Sequence, residues 1–476
     1  RDLRHFAELA FNRSNKMVAY RVHTFCNLGA YNSRFGQNIQ TGLFSKVLMG
    51  VYDVQDTYLN VTGIYTNTTQ VDAYRGAGRP EAIYLLERMM DRAARELTID
   101  PLELRRINFI KKENFPYRSS TGEMIDVGDF DRVLTAAEIS ADLKGFEQRK
   151  KESEAKGRLR GLGLCYYIES ILGDPSEEAK VVFEEDGSVK IFVGTQSNGQ
   201  GHETVFAQFL SDQTGIPTEK IIVVQGDSDL IPRGGGTGGS RSVTVQNNAT
   251  LATVEKIIQS FSQYLSEKLE VDVEDIGFDD TSFRIKGSNY SPNALEVAKI
   301  AFEDNRFDLL KHSAKATLDA RSFPNGAHFA EVEVDPETGF VQVVKYCVVD
   351  DFGNLINPML AEGQVHGGVA QGIGQALYEN VVYDQEGQLL TATLMDYGIP
   401  RAQDLPYYKF ETECVPSTAN IMGMKGCGEA GTVGALAAVA NAVQDALWGF
   451  GIQQVDMPFT SEKIWSMINS GKLAAE

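Results

Sequence analysis

Glu429 is the single acidic residue in the glycine-rich stretch "KGCGEAGTVG" (425–434), directly ahead of the almost uncharged run "ALAAVANAVQDAL". A lone carboxylate at a helix entrance can complement the partial positive charge of the helix N-terminus. It can also be a general base, which must be held still close to the reacting group. The stretch spells G-x-G-x-x-G through Gly426, Gly428 and Gly431. A dinucleotide-binding half-domain needs further parallel strands after its helix, and the residues up to Glu476 are too few for one. Four other glycine turns stand ahead of expected helices: "AYRGAGRPEA", "SNGQGHET", "RGGGTGGSRS" and "EGQVHGG". Helix N-termini offer unpaired N–H groups, and glycine lets a ligand approach the backbone. Five such turns, two of them with an arginine (Arg75 and Arg241), point to a site wrapped around a polyanionic ligand. "RGGGTGGS" lacks the Gly-Lys-Ser/Thr of a Walker loop, and "HETVF" at His202 is not the H-E-x-x-H of a zinc protease.

The bulk composition narrows the ligand class. The 476 residues carry 45 Lys and Arg against 65 Asp and Glu, a net charge of −20. That argues against nonspecific nucleic-acid binding and against an anionic membrane surface, and it leaves phosphate recognition to local groups. Cys26, Cys165, Cys347, Cys414 and Cys427 are scattered without a C-x-x-C pair. Neither a zinc ribbon, nor a disulfide framework, nor an iron–sulfur cluster held by this chain alone fits them. Reduced thiols in a cytoplasmic compartment are the expectation. The longest apolar runs are too short to span a bilayer, and no signal peptide is read. The chain begins at Arg1 with what reads as mid-domain sequence, as a processed chain or a fragment would.

Strand and helix patterns alternate throughout. "KMVAYRVHTFCNLG" (16–29) reads as a strand, and 79–101 as an amphipathic helix ended before Pro101. The charged segment 130–160 reads as a linker helix, with a domain boundary near Lys156. Two stretches then share one order of parts. "AKVVFEEDGSVKIFVGTQSNGQGHETVFAQFL" and "AEVEVDPETGFVQVVKYCVVDD…EGQVHGGVAQGIGQAL" each hold a strand, a turn, a strand, and Gly-Gln-x-His entering a helix (Gln200 with His202, Gln364 with His366). Duplication of a β-hairpin-plus-helix unit explains this, as does chance.

Taken together, the motifs "VDAYRGAGRPEA", "GTQSNGQGHETVFAQ", "GGTGGSRS", "DDFGNLINPMLAEGQVHGGVAQGIGQAL" and "KGCGEAGTVG" resemble the molybdenum-cofactor subunit of the xanthine oxidase, aldehyde oxidoreductase and carbon monoxide dehydrogenase family. They stand in the family's order and cover nearly the whole chain. The resemblance implies a mixed α/β (α+β) fold of two elongated molybdopterin-binding domains built from repeated β-hairpin-plus-helix units, with residues 1–156 the remainder of the first and a linker, and 157–476 the second. It implies molybdopterin with molybdenum held through the pterin dithiolene, with the cytosine dinucleotide form expected, and no metal ligand from the protein. Arg75, Gly76 and Ala77 then face the metal, and Gly199 and Gln200 touch the pterin and its phosphate. Thr237, Gly239, Ser240, Arg241 and Ser242 hold the pterin and dinucleotide tail. Gln364, Lys425 and Gly428 complete the cofactor set. Glu429 falls on the family's catalytic base, which takes a proton from the nucleophile while the substrate carbon is oxidised with water as oxygen source.

The departures are as informative. Gly76 stands where the carbon monoxide enzymes carry a copper-binding cysteine. Ala77 stands where the purine enzymes carry a phenylalanine, and Leu43 aligns with their substrate-binding arginine. The resemblance therefore implies an aldehyde or N-heteroaromatic substrate, with carbon monoxide chemistry or a non-catalytic cofactor scaffold as alternatives. The family's N-terminal section, with a second glycine loop and a glutamine near the metal, is absent from this chain. A companion chain or segment must supply it, and partner subunits the [2Fe-2S] and FAD centres.

Overall fold

The computed structural model describes residues 2–473. Near the start, β1 (Leu3–Phe11) and β2 (Met17–Gly29) pair antiparallel, and β3 (Asp56–Tyr65) runs parallel to β2 on its other edge. Strand β1 alternates half-buried and exposed residues, as expected where one sheet face meets a core. Helix α1 (Arg79–Glu96) starts after Gly78, whose φ of +90° closes the turn, with Pro80 in its first turn. It ends at Glu96. Asp100 then caps the next helix, Pro101–Asn108, by accepting from the N–H groups of Leu102 and Glu103.

The segment read as one linker helix is two, Phe130–Ser140 and Phe146–Glu154. Asp142 breaks them by turning left-handed, at φ 49°. Strand β4 (Leu159–Ile168) begins where the helix was expected to continue.

Two four-stranded sheets follow. The first holds the hairpin β5 (Ser176–Phe183) and β6 (Val189–Val193), then α2 (His202–Thr214), then β7 (Ile221–Val224) parallel to β6, then the long α3 (Ser242–Leu269). The second repeats the order. After β8 (Lys311–Thr317) come the hairpin β9 (Asn325–Val334) and β10 (Val341–Asp351), then α4 (Pro358–Leu377), β11 (Tyr408–Thr412) parallel to β10, and α5 (Ala430–Trp448). The short sequence match thus corresponds to matching topology. The second Gly-Gln-x-His does not enter its helix, however. Asn357 caps Leu360 and Pro358 opens α4, so Gln364 and His366 lie in the helix interior.

The remaining strand of each sheet is exchanged. β4, which precedes the first hairpin in sequence, pairs antiparallel with β9 of the second sheet. β8, which precedes the second hairpin, pairs antiparallel with β5 of the first. Their two connectors run side by side, joined by Glu169 N–H to Pro324 O (2.8 Å), Ile171 N–H to Ser322 O (3.2 Å) and Leu318 N–H to Pro175 O (3.0 Å). Ile171, Leu318 and Val245 of α3 form a small apolar cluster at this crossing.

The large cores follow the sheets rather than chain order. One draws on residues from Met17 to Ile168 and again from Phe323 to Ile468; the other lies within Val181–Leu310. Lys156 has the larger core on both sides of it in sequence. Helix α5 is the centre of that core: every residue except Asp445 and Trp448 is buried. An Ala-rich helix that is apolar all round belongs inside. Gly161 and Gly163 let it lie on β4, since a Cβ at Gly163 would stand 2.0 Å from Ala438 O.

Candidate active site

Four of the five glycine turns lead into helices: α1, α2, α3 and α5. The fifth lies within α4. Three of the turns converge on Glu429, which is the N-cap of α5. Its Oε1 accepts from the Gly76 N–H at 2.8 Å. Its Oε2 accepts from Arg79 Nη2 at 2.5 Å and from the Ser240 hydroxyl at 3.0 Å. Its own N–H donates to Ser240 Oγ at 3.1 Å. The local backbone is shaped for this. Gly76 has φ +103°, and a Cβ there would stand 2.4 Å from Pro80 Cγ. Ser240 sits left-handed at φ 57°, a conformation that costs a non-glycine residue about 1–3 kcal/mol and is held by its surroundings.

Burial works against the charge of Glu429, but Arg79, the Gly76 N–H and Ser240 hold its carboxyl below the usual carboxylate range. Its side chain is 13% exposed while that of Arg79 is sealed, so an ionised carboxylate is held at the edge of the packed interior.

Arg75 ties the turns together. It donates from Nε to Gly428 O (2.6 Å), from Nη1 to Gln371 Oε1 (3.1 Å), and from Nη2 to Gln364 O (2.9 Å) and Oε1 (3.0 Å). Ala77, at φ 39°, completes the same turn. Leu43 closes the turn Ile39–Leu43, whose backbone packs against Gly78.

Gly199, Gln200 and Thr237 form a neighbouring group. Thr237 Oγ1 donates to Gln196 O (2.6 Å) and accepts from Gln196 N–H (3.0 Å), and Gln200 Oε1 accepts from Asn198 N–H. A Cβ at Gly199, Gly236 or Gly238 would meet nothing within 4 Å, whereas Gly239 packs on Leu172. Thr195 Oγ1, His202 Nδ1 and both amide atoms of Asn247 are buried with no partner in the protein. Burial lowers the His202 pKa to about 4, which leaves the ring neutral. Ser242 opens α3, whose N-cap has no side-chain hydrogen bond to its first-turn N–H groups. An open glycine-lined surface, uncapped helix N–H groups and orphaned polar atoms fit a polar, phosphate-bearing cofactor.

Two residues assigned to the cofactor are engaged elsewhere. Arg241 is buried, and its guanidinium donates to Asp174 O (2.7 Å), Gly236 O (2.9 Å), Ser176 O (3.1 Å) and Glu177 Oε1 (2.7 Å). It braces the glycine loop from beneath. Lys425 Nζ is sealed in an ion pair with Asp351 Oδ2 at 2.5 Å. The family resemblance had placed both at the cofactor, and for Arg241 the scarcity of cations among glycines in an acidic chain pointed the same way. Sequence reading passed over Glu177 and Asp351, and over Glu169, which shares Arg79 with Glu429. The one available signal was that Glu169 ends the otherwise uncharged run "GLGLCYYIES". Among the described residues, no group of three or more His, Cys, Asp or Glu stands where it could hold a metal ion, and no helix is long and apolar enough to cross a membrane.

The scaffold is mixed α/β, with two like sheet units and glycine turns gathered at helix N-termini. Residues 1–109 and 136–406 match two models described as molybdopterin cofactor-binding domains. The chain belongs to that family, the molybdenum-cofactor-binding large subunits of the xanthine oxidase group. It is 31% identical to the carbon monoxide dehydrogenase large chain of Afipia carboxidovorans, over 98% of this chain and 61% of that one. It is 33% identical to the nicotine 6-hydroxylase large subunit of Paenarthrobacter nicotinovorans, over 96% and 58%. The crystal structure of quinoline 2-oxidoreductase from Pseudomonas putida 86 superposes with a TM-score of 0.93 at 31% identity, covering 98% of this chain and 62% of that one. The chain thus spans about three fifths of the length of these relatives.

Proposed function

We propose that this chain forms the catalytic, cofactor-binding part of a molybdenum hydroxylase that oxidises an N-heteroaromatic or aldehyde substrate with water as the oxygen source. The observation that carries the reading is the Glu429 carboxylate, ionised, fixed by Gly76, Arg79 and Ser240, and only partly enclosed. When bound, the molybdopterin centre supplies two-electron oxidation of the substrate carbon. Glu429 accepts the proton of the attacking water-derived group, while Arg79 and the Gly76 N–H keep the carboxylate from turning away. Gly199, Gln200, Thr237, Gly239, Ser240, Ser242, Gln364 and Gly428 hold the pterin and a cytosine dinucleotide tail, mainly through backbone N–H groups. Arg75, Arg241 and Lys425 set the shape of the loops that do so. Molybdenum is held by the pterin rather than by protein side chains.

The names nicotine 6-hydroxylase and quinoline 2-oxidoreductase favour an N-heteroaromatic substrate. The copper-dependent alternative asks for a thiol at position 76, where the backbone conformation favours glycine. A partner segment supplies the rest of the relatives' length, and [2Fe-2S] and FAD subunits take the electrons. Five free cysteines support a reducing, cytoplasmic location. Residues 1–156 are proposed as the remainder of a first cofactor-binding domain with its linker, and 157–476 as the second.

The test is the native complex. Molybdenum, pterin, cytosine nucleotide, iron–sulfur and flavin are quantified together, and turnover of an N-heteroaromatic panel is followed in ¹⁸O-labelled water. Stoichiometric molybdenum and label in the product support the reading. A complex without molybdenum or pterin makes the chain a scaffold, and stoichiometric copper returns it to carbon monoxide chemistry.

A further inference from the structure

Behind Glu429 lies a second carboxylate that neither the motifs nor the proposed reaction use. Glu169 follows β4 at the crossing of the two connectors, and its side chain is fully buried. Its Oε1 accepts from Arg79 Nη1 at 2.6 Å and lies in hydrogen-bond contact with Ser240 Oγ, whose one hydrogen can go to Glu169 or to Glu429. Its Oε2 is buried without a partner. Arg79 is completely enclosed. Besides the two carboxylates, its guanidinium reaches Gly76 O and Ser170 O, each at 2.5 Å.

The charge count decides what this cluster is. Two carboxylates share one sealed guanidinium and one hydroxyl; Arg75 also faces them, but its hydrogen bonds go to Gly428, Gln364 and Gln371. A full charge on the enclosed Glu169 beside a second carboxylate is one that a low-dielectric site removes by keeping a carboxyl protonated. The hydrogen bonds say which one. Ser240 has one hydrogen to give, so it serves one carboxyl at a time. Without it Glu429 still takes the Gly76 N–H on one oxygen and Arg79 on the other, and is partly open to solvent, whereas Glu169 keeps Arg79 alone and its second oxygen is bare. Donors stabilise the ionised form, so the anion is Glu429.

We propose that Glu169 is the neutral, proton-bearing partner of Glu429, a positioning residue that orients Arg79 and Ser240 while leaving the guanidinium's charge to the catalytic carboxylate. This deepens the proposed function and rests on Glu429 being its base, but the protonation of Glu169 is a property of the fold and can be read without turnover. The titratable and charged groups facing Glu169 are Arg79 and Arg75 from the first glycine turn, Glu429 and Cys427 from the last, and Tyr167 on its own strand. Burial pushes the Glu169 carboxyl up to about 8, with Arg79 opposing and Glu429 adding to the rise.

The consequence for stability has a definite sign. A carboxyl whose folded pKa lies above its unfolded value contributes stability that is complete below the unfolded pKa and is lost as pH rises to the folded one. Glu169→Gln keeps an acceptor for Arg79 and removes the titration. Its melting temperature should therefore gain on the wild type steadily from about pH 5 to about pH 8 and level off above. In the infrared, the wild type at neutral pH should show a protonated-carboxyl C=O band that shifts in D₂O and is missing from Glu169→Gln. With the cofactor loaded, Glu169→Ala should lower kcat about tenfold or more at unchanged molybdenum content, with Glu169→Gln recovering most of the loss. The opposite result is clear. If Glu169 is an anion paired with Arg79, Glu169→Gln loses most stability at neutral pH, the gap narrows toward acid pH, and the carboxyl band is absent. If the stability and infrared results hold while no molybdenum chemistry is found, the proton assignment stands and the proposed function fails.

Discussion

The two sheet units run hairpin, helix, parallel strand, glycine loop and long helix in the same order, yet they end differently. In the first unit the long helix α3 is preceded by Arg241, whose guanidinium is sealed against Glu177 and three backbone carbonyls. In the second, α5 is preceded by Glu429, whose carboxylate meets a neighbouring turn, a guanidinium and a hydroxyl, and stays partly open. One unit uses its helix entrance to lock a loop, the other to hold the carboxylate proposed as the base. The two entrances touch through Ser240, the residue before Arg241, which hydrogen-bonds both the backbone and the carboxylate of Glu429. The same topology thus yields a sealed cation and a partly exposed carboxylate, and the choice rests on one residue type and on what packs beside it.

The largest effect that would test this contrast is on rate. Glu429→Gln keeps size and hydrogen-bonding reach but removes the proton acceptor. It should slow single-turnover reduction of the cofactor roughly 10²–10⁴-fold with molybdenum and pterin still bound. Reduction at the wild-type rate with full cofactor would make Glu429 as structural as Arg241.

On the other side, Arg241→Ala leaves Glu177 buried and unpaired. Removing one partner of such a pair typically costs about 3–5 kcal/mol, read as a lower denaturant midpoint. Cofactor content should fall only where folding falls. Loss of pterin from a variant of unchanged stability would mean that Arg241 holds the ligand directly, as its setting among glycines suggested.

The smallest effect separates how the long helices seat on the exchanged strands. Gly163→Ala on β4 drives a Cβ into the backbone of α5, near Ala438 O and Ala442 N, and should cost about 1–3 kcal/mol. On β8, Ala314 is already accommodated as a buried alanine, and Ala314→Gly should cost no more than about 1 kcal/mol. Thermal melts of both variants decide it, and equal losses would mean that the two seats are alike.

These contrasts mark where sequence reading succeeds and stops. The hairpins announced themselves through alternating apolar residues and Asp-Gly or Thr-Gly turns, and four glycine turns through the apolar helices behind them. Asn357-Pro358, a cap followed by a first-turn proline, was also a readable start for α4, but the glycines near His366 drew the eye instead. Other features leave no local trace. Nothing near Arg241 or Lys425 names Glu177 or Asp351 as its partner, because those pairings bring together residues far apart in the chain. Arg79 stood inside a quoted motif as a helix-opening residue, and only packing shows it held between two acids. The exchange of β4 and β8 is invisible for the same reason, since each is a good strand next to a good hairpin.

That exchange sets an order on synthesis. Strand β4 leaves the ribosome with its apolar residues ready, but its partner β9 and the helix α5 that covers it are made far later. At about 5–20 residues per second, the gap from Ile168 to Asn325 is on the order of ten seconds or more. During it, both β4 and the open edge of β5, which awaits β8, stand as unsatisfied strands. Such edges invite pairing with other nascent chains. The interlocked sheets that bring Glu169 behind Glu429 thus carry an obligation during synthesis: the edge of β5 stays open until β8 is made, and β4 until the second hairpin follows.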